Sequence, residues 1–472
     1  MKNWFDSYSM LVKSTPFEIE KKHGVIIGFN VNIDKIIAVN PLIVSKIIMS
    51  DIISKIELKK ELPLYIENNI DFLSWLFHSI EFEKADEIVT NSKSLIDWIE
   101  NTFDIKDIRI GGQAGIIANL YSRLGLKPVL LSLPVQTVEL TNLLHQNILT
   151  VLKDDSGYSV DKISNIKNTV GKPISHYVFE FAKGTYDVGK HTIECKRDNR
   201  FILSYDEINT QLRFNEGFVD YCDNFISEYS LAIVSGFHLI HQKLNSFSSF
   251  YDIIEPVEKM FKKWKNLNPS LCLHLEIAST KDKELRKTII NNLFPVVDSI
   301  GLNEQELTSF IEVINPEIAQ QMQESKDSVL VFKALYMILE NYPNLRIHFH
   351  YFGYFLILSA PIEQEMTLIR KQGLLLSSLI AAIKATGTEI TSLNQIQNVS
   401  LNITEEGLKS LEHLHEYLIN QYPTDDNLYV NGFFNSPFFS LVGVPTIIVK
   451  NPKTTVGLGD HISSISIIYE IQ

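Results

Sequence analysis

The chain has 472 residues, of which 45% are hydrophobic and 21% are charged, which is enough for a large core and exceeds one average domain. Its formal net charge of -13 argues against nonspecific binding to nucleic acid or to an anionic membrane, because either requires clustered Lys and Arg side chains. Three cysteines, Cys195, Cys222 and Cys272, are too few and too widely spaced for a disulfide framework or a four-ligand zinc site.

The N-terminal residues 1–7 lack the uninterrupted apolar stretch of a signal peptide. No run of residues approaches the ~20 apolar positions that span a bilayer. We therefore expect a cytoplasmic protein, a monomer or small homo-oligomer, whose partners are small molecules and include neither nucleic acid nor a membrane.

Short apolar runs alternate with amphipathic stretches of helical length, which is typical of an α/β protein with buried, mostly parallel strands and helices on both faces. The helices predicted from small residues on one face are 115–124 and 374–385. The predicted strands are 25–29, 128–133, 231–235, 271–275 and 328–332.

Two stretches interrupt this rhythm. Residues 36–107 have mostly amphipathic helical patterns with much charge, and residues 173–213 are strand-like with polar interruptions. These stretches predict a small, discontinuous α+β lid domain. The large nucleotide-binding catalytic domain is then expected to comprise residues 1–35, 108–172 and 214–472.

The first polar motif, Gly28-Phe-Asn-Val-Asn-Ile-Asp34, follows a predicted strand. An extended backbone places Asn30, Asn32 and Asp34 on one face, where amide and carboxylate groups suit the hydroxyls of a sugar. The alternative is an Asx-rich exit from a strand with no ligand.

A glycine pair, Gly111-Gly112, precedes Gln113 and opens the predicted helix. Such a pair lets a ligand approach the backbone and meet free N–H groups, and Gln113 can reach a ligand hydroxyl. Equally, the glycines can serve only tight packing of a helix on a strand.

Two further motifs carry carboxylates, one at the end of a predicted strand and one at the start of a predicted helix. In His274-Leu-Glu276 the two polar side chains share a face, and in Gly301-Leu-Asn-Glu-Gln-Glu306 Asn303 and Glu306 lie one helical turn apart. Carboxylates with an amide suit Mg²⁺ held largely through water beside a nucleotide. Ordinary helix capping is the alternative for the second motif.

The C-terminal motif Thr454-Thr-Val456-Gly457-Leu-Gly459-Asp460 runs into a predicted helix over 462–471. Two glycines before a helix let backbone N–H groups contact a phosphate, and Asp460 supplies a base beside that anion hole. Phosphoryl transfer needs both parts. An ordinary glycine turn is the alternative.

Together with Asn199-Arg200-Phe-Ile202, these motifs occur in an order that resembles the ADP-dependent glucokinase and phosphofructokinase family of the ribokinase-like superfamily. The resemblance extends from about residue 24 to the C-terminus. It implies a ribokinase-like large domain and transfer of the β-phosphate of ADP to fructose 6-phosphate or glucose, or both, which gives AMP and a sugar phosphate in glycolysis.

By this resemblance Asp460 is the catalytic base, and Gly457 and Gly459 form the anion hole. One Mg²⁺ per subunit is expected at Glu276, Glu306 and Asp460. The residues expected to contact the nucleotide are Asn303, Val456 and Gly457. The stretches 346–353 and 445–449 resemble parts of the large domain near adenine, the second of them as a strand.

The resemblance also implies a sugar site formed by Asn32, Asp34, Gly112, Gln113 and His176. A half-buried strand histidine without a ligand is the alternative for His176.

The sugar itself is not decided by these residues. Glu87 falls roughly where the family has a carboxylate that favours glucose. A different placement of gaps would assign this role to Asp86. Lys183 and Arg200 are expected to bind the phosphate of fructose 6-phosphate, and Arg200 can instead meet a nucleotide phosphate. An enzyme that accepts both sugars is therefore a live hypothesis.

One position departs from the family pattern, which has Thr where this chain has His461. A charged imidazole there is attractive to phosphate, so we expect His461→Thr to raise turnover or flatten its pH profile. Two other functions stay open, namely an ATP-dependent sugar or nucleoside kinase of the same superfamily and a sugar or nucleotide sensor without activity.

Overall fold

The structure is a computed structural model that describes residues 2–13, 24–49, 61–154, 157–166, 171, 174–188, 191–212, 215–242, 247–454 and 456–471. The domain boundaries predicted at residues 172–173 and 213–214 lie outside these ranges.

Helices and strands alternate along most of the chain. The helices are α1 Lys2–Lys13, α2 Pro41–Met49, α3 Asn69–Phe82, α4 Lys93–Thr102, α5 Gln113–Arg123, α6 Val138–Thr141, α7 Glu216–Phe225, α8 Tyr251–Leu267, α9 Lys283–Asn292, α10 Glu304–Ile314, α11 Pro316–Glu324, α12 Ser328–Asn341, α13 Gln364–Ala385, α14 Glu405–Gln421, α15 Leu428–Asn431 and α16 Leu458–Glu470. The strands are β1 Gly24–Gly28, β2 Asn32–Val39, β3 Asp86–Thr90, β4 Ile105–Gly111, β5 Val129–Leu131, β6 Leu149–Asp154, β7 Gly157–Lys162, β8 Ser175–Phe181, β9 Gly184–Val188, β10 His191–Cys195, β11 Asn199–Tyr205, β12 Tyr229–Val234, β13 Cys272–Glu276, β14 Ser299–Asn303, β15 Arg346–His350, β16 Tyr354–Ser359, β17 Phe433–Asn435 and β18 Ser440–Pro445.

The large sheet has eleven strands in the order β17-β18-β16-β15-β14-β13-β12-β1-β5-β6-β7. Its central strands, from β15 to β6, are parallel, and antiparallel strands close both edges. Buried aliphatic side chains fill these strands, as in β1 and β12, because helices cover both faces of a parallel sheet. The predicted fold class, α/β with a mostly parallel sheet, is confirmed.

Four of the five predicted strands are confirmed, as β1, β5, β12 and β13. The strand predicted at 328–332 is wrong, because this segment begins helix α12. Asp327 caps the helix by accepting a hydrogen bond from the N–H of Val329, and the apolar positions continue at helical spacing through Ala334, Leu335 and Ile338. A short apolar run alone does not separate a buried strand from a buried helix.

The strand predicted at 445–449 is misplaced. Strand β18 ends at Pro445, and of the predicted residues beyond it Ile447 forms an isolated bridge with Ile403. The helix predicted at 374–385 is the second half of α13.

The small sheet has five strands in the order β3-β11-β8-β2-β4. One face packs against α3 and α4 around an aromatic cluster that includes Phe72, Phe179 and Phe201. The opposite face, which we call the polar face, carries the alternate residues of the same strands, and these include Asp34, Glu87, His176 and Arg200 beside apolar side chains such as Val178 and Ile202. We call the small sheet, its helices and the strand pair β9–β10, which packs in the same core, the small unit, and the rest of the described chain the large unit.

Helix α13 is long and apolar enough to cross a membrane by length and composition, with a mean hydropathy of 1.3 over its most apolar window. However, 67% of that window is buried inside the protein, and the helix packs against α16. A buried core helix of a globular protein has the same pattern, so this helix is weak evidence for a membrane span.

Candidate active site

A cleft with a volume of about 290 Å³ lies between the polar face of the small sheet and the carboxyl ends of the central strands of the large sheet. Open α/β sheets bind ligands at this edge. Most of the predicted site residues line it: Asn32, Asp34, Glu87, Gly112, Gln113, His176, Arg200, Glu276, Asn303, Glu306, Val456, Gly457, Gly459 and Asp460.

The first turn of α16 forms one wall of the cleft. The helix begins at Leu458, four residues earlier than predicted, so Gly459 and Asp460 lie inside the helix and not before it. Gly457 caps the helix with a φ of 70°, a left-handed conformation that favours glycine. The N–H groups of a first helical turn have no partner within the helix and attract anions.

Side chains from three other elements fix this helix. Glu470 near its end forms ion pairs with Arg346 and with Arg370, whose Nε lies 2.9 Å from Glu470 Oε2. Tyr121 on α5 donates a hydrogen bond of 2.6 Å to the carbonyl oxygen of Ser464. The anion hole is therefore held on a rigid element.

His350 at the end of β15 lies beside the anion hole. A Cβ atom built on Gly459 would come within 2.8 Å of His350 Nε2, so only glycine fits at this position without movement. The stretch 346–353, which the resemblance associates with adenine, thus reaches the phosphate end of the cleft at His350.

Asp460 is buried, with 8% of its surface exposed. Burial raises the pKa of its carboxyl to about 6, while a hydrogen bond with Gln113 and the positive charge of Arg200 act in the opposite direction. Asp460 is therefore mostly ionised at neutral pH and has a pKa close enough to neutrality for a general base.

Glu276 and Glu306 are buried on the same wall. Glu306 Oε2 accepts a hydrogen bond of 2.8 Å from the N–H of Asn303, which completes a capping box on α10. Glu276 Oε2 lies 2.9 Å from Nε2 of His274. The capping role of Asn303 and Glu306 is thus real, and both residues also line the cleft.

Burial and mutual repulsion disfavour the ionised forms of these carboxyls. Burial raises the pKa of Glu306 to about 8, and the Asp460 carboxylate adds to the effect. Burial likewise raises the pKa of Glu276 well above its usual range, with Asp460 and Glu306 contributing. Three carboxyls in such proximity favour a bound cation.

The donor set fits Mg²⁺ bound mainly through water and phosphate. Within the described ranges, no group of three or more His, Cys, Asp or Glu side chains is placed to hold a metal alone. Mg²⁺ usually keeps several waters and uses one or two carboxylates together with substrate phosphates. Glu276 and Glu306 match that mode of binding.

Two of the four places where the chain crosses between the sheets, from β1 to β2 and from β4 to α5, meet at the cleft. Asn30, in the crossing from β1 to β2, accepts a hydrogen bond of 3.1 Å from the N–H of Ala114 at the start of α5. Gly112 has a φ of 74°, and a Cβ atom there would lie 2.3 Å from the carbonyl oxygen of Asn30. The glycine is required for this close approach.

The side chains beside these crossings are polar and buried. Asn32 Nδ2 donates a hydrogen bond of 2.7 Å to Asp34 Oδ1, and Gln113 Nε2 donates one of 3.3 Å to the carbonyl oxygen of Ile277. Buried oxygens of Asn30, Asn32 and Gln113 have no hydrogen-bond partner among the described residues. Such groups are normally satisfied, so they fit a ligand rich in hydroxyls.

The small sheet adds a hydrogen-bonded network around Glu87. Oε1 of Glu87 accepts a hydrogen bond of 2.5 Å from Ser204 and lies 3.4 Å from Nδ1 of His176. On its other side His176 Nε2 lies 3.1 Å from Asp206. Burial alone lowers the pKa of His176, but Asp206, Glu87 and Asp34 outweigh burial and raise it.

Glu87 differs from the carboxyls of the large unit. Burial raises its pKa, but His238, His176 and Ser204 outweigh burial and lower the pKa to about 2. Nε2 of His238 lies 3.3 Å from Glu87 Oε2. Glu87 is therefore a fixed carboxylate whose ionised form is satisfied by the protein.

The two predicted cations are separated. Arg200 lines the cleft, where Glu87, Asp34 and Asp460 act on its charge. Lys183 does not: it lies in the exposed turn after β8, where its N–H donates to Asp198 Oδ1. Since a strand rises about 3.3 Å per residue, Lys183 is roughly 20 Å along the chain direction from His176. The structure does not bring Lys183 to the cleft, and its contact with a sugar phosphate stays a prediction.

The prediction for His461 is wrong. His461 points into the core, where it is 6% exposed, and its Nδ1 donates a hydrogen bond of 2.6 Å to the carbonyl oxygen of Gly457. Burial lowers its pKa to about 3. The imidazole is therefore neutral at physiological pH and serves as a helix brace, not as a charge beside a phosphate.

Sequence reasoning missed His238 as a cleft residue and gave His350 no role at the anion hole. His350 is the last residue of a buried strand, as Glu276 is. That position in the sequence could have indicated that His350 reaches the cleft. His238 follows β12 after two irregular residues, so no periodic pattern reaches it.

A base held in the first turn of a helix, beside buried carboxyls and opposite a wall of hydroxyl-binding groups, suits transfer of a phosphoryl group to a hydroxyl. Fold and site thus define a small-molecule kinase. The profile of a family described as "ADP-specific Phosphofructokinase/Glucokinase conserved region" matches residues 23–469. The chain belongs to this family, and the resemblance seen in its sequence motifs is confirmed.

Individual relatives agree with this assignment. An ADP-dependent glucose/glucosamine kinase of Pyrococcus furiosus is 30% identical, over 100% of this chain and 99% of its own length. An ADP-specific phosphofructokinase of Methanosarcina acetivorans is 25% identical, over 93% of this chain and 91% of its own. The structure of an ADP-dependent kinase in complex with fructose-6-phosphate and ADPβS is similar, with a TM-score of 0.83, 26% identity and coverage of 100% and 97%.

Proposed function

We propose that this protein transfers the β-phosphoryl group of ADP to a hydroxyl of glucose or fructose 6-phosphate and releases AMP. The observation that carries the proposal is Asp460, a buried carboxylate with a pKa of about 6, in the first turn of a helix that lines the cleft. Membership of a family of ADP-specific kinases supports ADP as the donor.

In this mechanism Asp460 accepts the proton of the attacking hydroxyl as the new O–P bond forms and the bond between the β-phosphorus and its bridging oxygen breaks. The first turn of α16 stabilises the negative charge on the transferred group. Asn32, Asp34 and Gln113 orient the sugar. When bound, Mg²⁺ held near Glu276 and Glu306 supplies positive charge to the phosphates.

The small unit is proposed to act as the lid. It carries Asp34, Glu87 and His176 of the predicted sugar site, whereas the large unit carries the anion hole and the carboxyls of Glu276 and Glu306. Closure of the two units around the bound sugar excludes water from the cleft. The β-phosphoryl group of ADP is then transferred to the sugar hydroxyl and not to water. We further propose a cytoplasmic enzyme without nucleic-acid partners, in line with the net charge of -13.

Among the two sugars, charge favours glucose. Of the described residues that line the cleft, Arg200 is the one Lys or Arg side chain, whereas the small unit contributes three acidic side chains, Asp34, Asp86 and Glu87. A neutral hexose avoids the repulsion that a sugar phosphate meets there. Arg200 keeps fructose 6-phosphate as the second acceptor.

A grid of turnover measurements tests the function. Purified protein with Mg²⁺ is given ADP or ATP, each with glucose or fructose 6-phosphate, and AMP, ADP and sugar phosphates are quantified. We expect AMP from ADP with glucose, and slower formation with fructose 6-phosphate. Turnover with ATP alone contradicts the donor, and ligand-induced thermal stabilisation without any turnover contradicts the enzyme.

A further inference from the structure

His238 belongs to the large unit and has no role in the chemistry described above. Strand β12 ends at Val234, Gly236 turns the chain with a φ of 90°, and a single turn of 3₁₀ helix over Phe237–Leu239 carries the histidine. Its side chain is 6% exposed, and it lines the cleft.

This imidazole contacts the small unit at Glu87. Two of the groups that contact the carboxylate, Ser204 and His176, are on the small sheet with Glu87 itself. His238 is the neighbour that comes from the opposite wall, with Nε2 at 3.3 Å from Glu87 Oε2. Oε2 therefore takes its orientation from across the cleft.

The contact also fixes which nitrogen of His238 carries a proton. An ionised carboxylate only accepts hydrogen bonds, so Nε2 must be the donor. Nδ1 is buried and has no hydrogen-bond partner among the described residues. In the neutral ring it is an acceptor on a cleft-lining side chain, which a sugar hydroxyl or a water can satisfy.

We propose that His238 is a positioning residue for the acceptor sugar: it holds Glu87 in its sugar-binding orientation when the two units come together. The proposal rests on the proposed function, since it assigns the sugar to Glu87. Recognition of the sugar is thereby tied to closure, because neither unit alone presents the complete carboxylate site.

A simpler reading is that His238 only docks the two units. Their interface contains another polar contact one residue away, the ion pair between Asp86 and Lys281. Lys281 also approaches the ring of Trp75, with its Nζ 5.8 Å from the ring centroid. Lys281 therefore offers a comparison variant that loosens the same interface without touching Glu87.

The test is a double-mutant cycle between His238 and Glu87, with KM for glucose and for fructose 6-phosphate measured at saturating ADP-Mg²⁺. We expect His238→Leu to raise the KM of the preferred sugar about tenfold or more, as loss of a hydrogen bond to a charged group does. The KM of ADP should change less than about twofold. In the Glu87→Gln background the same substitution should raise the sugar KM less than about threefold.

Three variants sharpen the cycle. His238→Gln keeps an N–H donor and should recover most of the sugar affinity, and His238→Met replaces His238→Leu if the latter is insoluble. Lys281→Met should have the same effect with and without Glu87→Gln. A matched surface control is His413→Leu, since His413 also lies 3.3 Å from a carboxylate, Asp327, but is 58% exposed.

The inference is overturned if the His238 and Glu87 substitutions act additively on the sugar KM, if His238→Gln is as impaired as His238→Leu, or if Lys281→Met couples to Glu87→Gln equally. The proposed function fails separately, if the unmodified protein phosphorylates neither sugar. In that case the coupling between His238 and Glu87 is measured from the thermal unfolding midpoints of the same variants. Additive changes in these midpoints would contradict the contact between the two side chains.

Discussion

Two carboxyls on opposite walls of the cleft, Glu306 on the large unit and Glu87 on the small unit, have opposite electrostatic settings. The neighbours of Glu306 include two other carboxyls, and its pKa is raised to about 8. Glu87 is held by two imidazoles and a hydroxyl, and its pKa is lowered to about 2. The carboxyls on the large unit therefore lack a compensating positive charge, which a bound metal ion would supply, whereas Glu87 already has its compensating partners, His238 of the large unit among them.

The largest effect is expected from removing the proposed base on the large unit. Asp460→Asn should lower kcat by about 10²–10⁴-fold, because it removes the carboxylate beside the anion hole that is proposed to accept the hydroxyl proton. Binding of ADP, followed by thermal shift, should change little. Asp6→Asn, at an exposed position of α1, is the control. A variant with near-normal kcat would remove Asp460 from the mechanism.

A smaller loss is expected from disturbing the anion hole without changing charge. Gly459→Ala places a methyl group within 2.8 Å of His350 Nε2, so either the helix turn or the imidazole must move. We expect a fall in kcat of roughly tenfold or more, measured at saturating glucose and ADP. Gly184→Ala, where the nearest atom to the new Cβ is 3.7 Å away, should be silent. Equal kcat values in both variants would contradict the anion hole.

His461 tests whether a titratable group on the large unit affects stability and not catalysis. Its folded pKa of about 3 lies below the usual value near 6.5, so its contribution to stability is present above pH ~6.5 and is lost as pH falls toward 3. His461→Thr should leave the pH profile of kcat unchanged. It should also reduce acid destabilisation by up to a few kcal/mol at pH ~4, measured by urea unfolding across pH. A shifted kcat profile would place the imidazole back at the active site.

The smallest effect is expected on the outer part of the small unit. Lys183→Met should change the KM of fructose 6-phosphate less than about twofold, because an exposed, distant charge contributes little. Arg200→Met, at a position that lines the cleft, should raise that KM about tenfold or more. A comparable loss in both variants would require the turn after β8 to reach the cleft.

Much of the cleft could be predicted because many of its functional groups lie at or just beyond the ends of buried strands. Glu276 and the Asn30-to-Asp34 motif directly follow apolar runs, and parallel strands bring such ends to one edge. The segment 328–332 could not be assigned, because a five-residue apolar run fits either a strand or a helix. The sequence also does not show how far the turn after β8 lies from the cleft, so the position of Lys183 outside the cleft lining could not be predicted.

His461 and His238 mark a second limit. Whether a histidine beside a motif faces the ligand or the core depends on the helix phase, and α16 began earlier than its apolar pattern indicated. His238 reaches Glu87 from a part of the chain about 150 residues away. Contacts across a cleft follow from tertiary closure, and no local pattern encodes them.

The two chain crossings described above also have a mechanical meaning. In the proposed closure, Asn30, Asn32 and Gly112 form part of the joint between the two units, and the same residues line the cleft. A substitution at one of these residues is expected to change both sugar binding and the movement of the small unit. Strands β3 and β11, which carry Glu87 and Arg200, lie away from the joint, so a change of sugar preference during evolution is expected to accumulate on these two strands.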